Sequence, residues 1–200
     1  MELYAVDVSA LSLREDAALA LLSPSRREKA LRYQRGLPRL LSIGAGLLLR
    51  RYVGDAPIIL SPGGKPRMEG APCFNLSHSG TLAVLAVAEG EVGADIECVG
   101  AVRPAILPRV FTAEERALIG EDGAVFTRLW TRKEAVLKCC GCGIDRAMNG
   151  FSVLGDTVSL DGVRYFLSTL PYRNAMLSAA VTEGDPRFRV TEVPLGELLR

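Results

Sequence analysis

Phe126-Thr127-Arg128-Leu129-Trp130-Thr131-Arg132-Lys133-Glu134-Ala135-Val136-Leu137-Lys138 reads as one amphipathic helix. Phe126, Leu129, Trp130, Lys133, Val136 and Leu137 follow the three-and-four spacing that gathers apolar bulk on one side, so that side is core. Glu134 and Lys138 stand four apart and share a second face, with Lys133 at its edge. On an exposed helix such a pair contributes about 0.3–0.5 kcal/mol and nothing more. A second stretch offers it another role. Val92-Gly93-Ala94-Asp95-Ile96-Glu97 alternates like a short strand whose two carboxylates point the same way. Parallel carboxylates repel unless a cation or solvent lies between them, and a third from a helix edge completes a hard-oxygen site suited to Mg²⁺. That ion keeps waters and borrows ligands from phosphates, so the pattern points to phosphate chemistry.

At these residues the sequence resembles the 4'-phosphopantetheinyl transferases, and among them the longer surfactin-type enzymes rather than the short trimeric synthases. The family pattern is Val-Gly-x-Asp-x-Glu followed by Trp-[Ser/Thr]-x-Lys-Glu-Ala-x-x-x-Lys, and both halves occur here in order. Ala94 stands where the family usually has Ile or Val. The resemblance implies Mg²⁺-dependent transfer of phosphopantetheine from coenzyme A to a serine of an apo carrier protein, releasing 3',5'-adenosine bisphosphate. Asp95, Glu97 and Glu134 then hold the metal on the pyrophosphate, and Lys133 and Lys138 neutralise charge at the β-phosphate. The serine proton goes to Glu115, Glu134 or a metal-bound water, and the sequence does not choose among them.

Composition sets the bounds. Two hundred residues, 48% hydrophobic and 24% charged, make one domain or two small fused ones with an ordinary core. A formal net charge of +1 argues against a nucleic-acid-binding or acidic protein as a whole. No apolar run has the length of a membrane span and the first residues carry no signal pattern, so the expected place is the cytoplasm. Five cysteines without a secretion signal are expected as reduced thiols. Cys139 and Cys142 have Cys-x-x-Cys spacing, but no second pair completes a zinc site.

Leu3 to Val8 alternates as a strand, and Leu11 to Leu22 reads as a helix ended by Ser23-Pro24. Arg26, Arg27, Lys29, Arg32, Arg35 and Arg39 follow, opposed by Glu28 alone; Gly36 and Pro38 break the helix before Leu40 to Tyr52 resumes it. A solvated face and a nucleic-acid patch both fit, although only Tyr33 supplies aromatic interleaving. By resemblance, Arg26 and Lys29 meet the 3'-phosphate of coenzyme A, with Arg39 a weaker correspondence. Ser61-Pro62-Gly63-Gly64-Lys65-Pro66 is a turn. It is also the family's Gly-Lys-Pro element, whose backbone lies on the adenine at Pro66 while Lys65 reaches phosphate. Phe74-Asn75-Leu76-Ser77-His78-Ser79 is a strand matching a family motif in which Ser77 and His78 contact pyrophosphate. A lone histidine is otherwise a structural hydrogen-bonder.

Leu82 to Glu89 and Glu91 to Glu97 are expected to pair as a hairpin across Gly90. Cys98 to Pro108 is the expected junction of two halves. Thr112 and Glu115 have capping-box spacing, so Glu115 either closes a helix or serves the site. Gly141 and Gly143 fall on a family turn, Phe151 to Val153 on its next strand, and further strands run over 156–160, 162–170, 175–183 and 188–193. The fold expected is α+β, two pseudo-duplicated halves with the site between them. Residues 1–100 form the coenzyme A half with the first metal motif, and 101–200 form the half with the Lys-Glu helix and the carrier side. Val102, Ile106, Leu107 and Val110, flanked by Arg103 and Arg109, form an apolar stripe with basic rims, either junction core or a docking surface for the carrier. The partners expected are coenzyme A and a fatty acid, polyketide or peptide carrier, with no nucleic acid, no membrane and a monomeric enzyme. The alternative is a binding module of the same fold without transfer.

Overall fold

A computed structural model of the chain describes residues 1–142 and 147–200. Its elements run β1 (Glu2–Asp7), α1 (Glu15–Ala20), α2 (Pro24–Leu31), α3 (Leu37–Tyr52), β2 (Ile58–Leu60), β3 (Pro66–Met68), β4 (Cys73–Ser79), β5 (Leu82–Ala88) and β6 (Val92–Cys98). Then come α4 (Leu107–Val110), α5 (Ala113–Ile119), α6 (Gly123–Cys140), β7 (Thr157–Leu160), β8 (Val163–Tyr172), β9 (Ala175–Val181), β10 (Val190–Glu192) and α7 (Leu195–Leu198). Two four-stranded sheets, ordered β10-β1-β5-β4 and β6-β9-β8-β7, carry the α+β architecture, and β2-β3 is a small hairpin.

The strands alternate between two cores. Leu3, Ala5, Leu82, Val84 and Ala86 of the first sheet meet Val92, Ala94, Ile96 and Leu177 of the second, filling the space between the sheets. The opposite faces are covered by helices, α3 on Val6, Ala83 and Leu85, and α6 on Leu167 and Ala180. The order is helix, sheet, sheet, helix. Two glycines set how close the helices come. A Cβ on Gly44 would lie 2.5 Å from Val8, and one on Gly93 would lie 2.1 Å from the Ala135 carbonyl oxygen. Gly93 therefore lets α6 rest backbone-to-backbone on β6.

α6 starts where Asp122 accepts hydrogen bonds from the backbone N–H groups of Ala124 and Val125, and ends at Gly141 in the left-handed conformation, φ 69°. The capping box is real: Thr112 Oγ1 accepts from Glu115 N at 3.2 Å and Glu115 Oε2 accepts from Thr112 N at 2.8 Å.

Several expectations are corrected. β5 and β6 form no hairpin; β5 pairs with β1 and β4, and β6 pairs with β9 in the other sheet. The three residues between them carry the chain from one sheet to the other. A division at residue 100 thus does not separate the sheets, since β6 lies with the later strands and β10 with the earlier ones. Pro38 sits in the first turn of α3, where its missing N–H costs no hydrogen bond, so it opens that helix rather than breaking it. Residues 151–153 are not a strand. Val102, Ile106 and Leu107 pack on the core under α6 and Val110 is buried, so the stripe of the junction segment faces inward. The Cys140 and Cys142 side chains lie side by side, their Cα atoms 5.2 Å apart, while Cys73, Cys98 and Cys139 are free. Gly143 lies outside the described residues.

Candidate active site

On β6, Ala94 and Ile96 point into the inter-sheet core, which leaves Gly93, Asp95 and Glu97 facing α6. Gly93 brings the helix down, and Glu134 and Lys138 then meet the strand. Lys138 Nζ donates to Asp95 Oδ1 at 2.6 Å and to Ser77 Oγ at 3.2 Å. Asp95 is 3% exposed, and its second oxygen, Oδ2, is buried with no hydrogen-bond partner. Burial pushes its carboxyl above the ordinary carboxylate range, against the pull of Lys138 and Ser77. Glu97 is pushed up by burial and by Asp95, and Glu134 by burial, Asp95 and Glu97. Three carboxylates that disfavour one another's charge, with one ammonium among them, make a locus short of positive charge.

The edge strands of the two sheets, β4 and β6, are joined by side chains. Asn75 Oδ1 accepts from Ala94 N at 3.0 Å, Ser77 Oγ from Ile96 N at 3.3 Å, and Ser79 Oγ from Cys98 N at 3.0 Å. Ser77 and Ser79 also donate, each at 2.8 Å, to Asp95 Oδ1 and Glu97 Oε2. Asn75 and Ser79 were not singled out from the sequence. The period-two alternation of β4, which puts 75, 77 and 79 on one face, was the signal available.

His78 is exposed on the same strand, and its imidazole lies below the usual histidine range through partial desolvation and then the charges of Lys138 and Lys29. Lys29, exposed on α2, is itself lowered by desolvation and by Arg26 and Arg32. His78 feels the charges of both Lys29 and Asp95, so it stands between the basic helix and the carboxylates. Beside the carboxylates lies a cavity of about 210 Å³ lined by Gly63, Gly64, Pro66, Asn75, Glu134 and Lys138. A larger cleft, about 900 Å³, lies by Arg50, Arg51, Glu197 and Arg200, where Arg50 faces Asp55 at 3.4 Å and Arg51 faces Glu197 at 3.7 Å.

Other expected site residues are engaged elsewhere. Lys133, with 0% exposure, pairs with Glu115 Oε2 at 2.7 Å, donates to the carbonyls of Met148 and Phe151, and lies over the Phe151 ring. Glu115 is equally buried and accepts from Val153 N at 2.7 Å, so neither residue reaches the cavity or a bound phosphate. Lys65 turns inward as a strut, donating to Glu91 Oε2 at 2.7 Å and to the carbonyls of Val92 and Cys139 at 2.9 Å each. It fastens the 61–66 turn to β6 and to the end of α6, and it also lines the cavity. Arg26 is 5% exposed and donates to the Ser42 carbonyl, because α2 packs on α3 through it. Arg39 grips the Tyr33 carbonyl and Glu15. Ser77 Oγ donates to Asp95 Oδ1 at 2.8 Å. Pro66 lines the cavity while pairing with Leu60 in the small hairpin.

Among the described residues no three His, Cys, Asp or Glu side chains form a ready-made metal cage. Lys138 and the two serines hold one oxygen of each strand carboxylate. The donor set still fits a hard divalent ion: all-oxygen, mutually repelling, with the buried Asp95 Oδ2 left unpaired.

A family model described as the 4'-phosphopantetheinyl transferase superfamily matches residues 91–178, the span from β6 to β9. The 4'-phosphopantetheinyl transferase of Bacillus subtilis is 30% identical over 154 residues, covering 70% of this chain and 69% of the relative. The transferase psf-1 of Bacillus pumilus is 40% identical over 96 residues, 44% of this chain and 41% of the relative. AcpT of Salmonella typhimurium is 39% identical over 117 residues, 52% of this chain and 59% of the relative. The matched stretch thus spans well under two thirds of the last two proteins.

Proposed function

The chain belongs to the 4'-phosphopantetheinyl transferase superfamily, and from that premise we propose that it moves the 4'-phosphopantetheine group of coenzyme A onto a serine of an apo carrier protein. The observation that carries the reading is the meeting of Asp95, Glu97 and Glu134 with Lys138 at one edge of a cavity walled by the Gly63–Pro66 turn.

In this reading Asp95, Glu97 and Glu134 would hold Mg²⁺, which when bound would supply Lewis-acid polarisation of a phosphoryl oxygen. Lys138, 28% exposed at its side chain, keeps a proton donor beside the β-phosphate, and its removal from water makes that charge act more strongly. Lys29 and His78 bind the remaining phosphate oxygens; an imidazole lowered in pKa still donates one N–H when neutral. The Gly-rich turn gives the adenine a flat backbone surface. With Glu115 buried against Lys133, Glu134 is the protein carboxylate that takes the proton of the attacking serine. The new bond joins the serine oxygen to the β-phosphorus, the bond to the bridging oxygen breaks, and 3',5'-adenosine bisphosphate leaves with the electron pair.

A monomeric enzyme is part of the proposal. Among the described residues no helix is long and apolar enough to cross a membrane. Work in the cytoplasm, on fatty acid, polyketide or nonribosomal peptide carriers, is part of the proposal. The test is incubation with coenzyme A, Mg²⁺ and a panel of apo carriers, read by intact mass. A mass gain of one phosphopantetheine on at least one carrier, lost with chelator, is expected. Coenzyme A binding without any modified carrier refutes transfer and leaves a binding module.

A further inference from the structure

We infer that Ser79 is a positioning residue that selects the divalent cation by leaving Glu97 a single oxygen to offer it. The inference rests on the reading of Asp95, Glu97 and Glu134 as cation ligands. Its geometry is a two-residue device that occurs twice. Ser77 Oγ accepts from the N–H of Ile96 and donates to the carboxylate one residue earlier, Asp95 Oδ1. Ser79 Oγ accepts from the N–H of Cys98 at 3.0 Å and donates to Glu97 Oε2 at 2.8 Å. Each hydroxyl is fixed at both ends and stands on β4, itself held by β5 through the pairs Ser77 with Val84 and Ser79 with Leu82. Neither carboxylate can rotate to present both oxygens without breaking a hydrogen bond.

What remains for a cation is one oxygen from each strand carboxylate. On Asp95 it is the buried Oδ2 that has no protein partner, and this independent observation marks where the ion is met. On Glu97 it is Oε1. Mg²⁺ requires near-octahedral geometry at about 2.0–2.1 Å and takes carboxylates one oxygen at a time, whereas Ca²⁺ accepts 6–8 oxygens at about 2.3–2.6 Å and readily takes carboxylates two at a time. A hydroxyl that blocks the second oxygen therefore disfavours the larger ion. Glu97 is only part-buried, so Ser79, unlike the packing around Asp95, is the main restraint on its rotation.

The experiment uses Mn²⁺ as reporter, with free Mn²⁺ measured by electron paramagnetic resonance on the full chain, and displaces it with Mg²⁺ or Ca²⁺. The ratio of the two displacement constants is the readout, so a general loss of affinity does not move it. In Ser79→Ala the ratio is expected to shift toward Ca²⁺ by several-fold, because Glu97 is then free to offer both oxygens to the ion that accepts them. Ser79→Thr, which keeps the hydroxyl, is expected to restore the wild-type ratio. Should the alanine variant fail to fold, Ser79→Cys keeps the volume with a weaker donor and is expected to give an intermediate ratio. An unchanged ratio in the folded Ala or Cys variant, with Mn²⁺ bound, overturns this inference and leaves the proposed function standing. A wild-type chain that binds no Mn²⁺ overturns both.

Discussion

Each of two faces of α6 carries a lysine, and the fold treats the two in opposite ways. Toward the 148–156 segment the helix presents Arg132 and Lys133, both fully enclosed. Arg132 donates to the carbonyl of Val153 at 2.7 Å and to that of Gly155, and Lys133 meets Glu115 and two further carbonyls. Toward β6 it presents Glu134 and Lys138, where Lys138 stays 28% exposed on a carboxylate with an oxygen to spare. A cation whose hydrogen bonds are all used inside the protein is an anchor. One left beside an unpaired buried oxygen and a cavity can still serve a ligand. The difference lies in what folds onto each face, not in the residue.

That contrast is broken or sharpened most strongly at Lys133. Lys133→Ala leaves the Glu115 carboxylate buried and unpaired, so unfolding in urea should show a loss of about 3–5 kcal/mol. Lys133→Met combined with Glu115→Leu, which empties the site of charge, should recover much of it. A Lys133→Ala variant of near-normal stability but failing in transfer would return this lysine to the chemistry and dissolve the comparison.

Lys138 is expected to behave in the other way. Lys138→Ala should lower the transfer rate by about 10²-fold, the scale of removing one stabiliser of developing charge, equivalent to roughly 2.7 kcal/mol of barrier. Asp95→Ala and Glu134→Ala should do the same. The urea midpoint should move far less for Lys138→Ala than for Lys133→Ala. Rates near wild type in Mg²⁺ for all three would remove this face from the mechanism.

The same contrast recurs on α2, where Arg26 and Lys29 stand three apart. Arg26 points into α3 and Lys29 outward, toward His78. Lys29→Ala should weaken coenzyme A by about tenfold, one charge-assisted phosphate contact, and 3'-dephospho-coenzyme A by less if the 3'-phosphate is its target. Arg26→Ala should cost stability and leave the ratio of the two ligands alone. A ratio changed by Arg26 and not by Lys29 would reverse the assignment.

These cases define what was legible in the sequence. α6, its capping-box neighbour and the facing carboxylates of β6 follow from periodicity and spacing, which are local. The resemblance added the order of motifs and hence the site's membership. Hidden was everything decided by a partner far along the chain. Lys65 reads as a loop lysine until Glu91 and Cys139 close on it. β5 and β6, both apolar and separated by three residues, look like a hairpin, and only the long-range pairing of β6 with β9 assigns them to different sheets. Gly93 was seen as a motif letter, while its physical reason, the Ala135 carbonyl at 2.1 Å from a would-be Cβ, needs the helix in place.

The smallest effect expected concerns the junction between the halves. Its apolar stripe is used up in the core under α6, and Arg103 lies over the Trp130 ring at 4.9 Å and the Phe126 ring at 5.4 Å. Arg103 is thus a cation–π anchor, and its replacement mixes packing with charge. Arg109 is exposed at the last turn of α4 and is the cleaner probe of the rim. If an acidic carrier approaches along this side, Arg109→Glu should raise the Michaelis constant for the carrier by a few-fold, the scale of about 1 kcal/mol for a surface pair. The constant for coenzyme A should stay unchanged, because Arg109 is not among the residues lining the cavity. Rim charges act through solvent, so the defect should shrink as salt is raised and the screening length falls to about 3 Å at 1 M. A defect that persists at high salt, or that falls on coenzyme A, would mean that the junction supports the fold from within and that the carrier docks elsewhere.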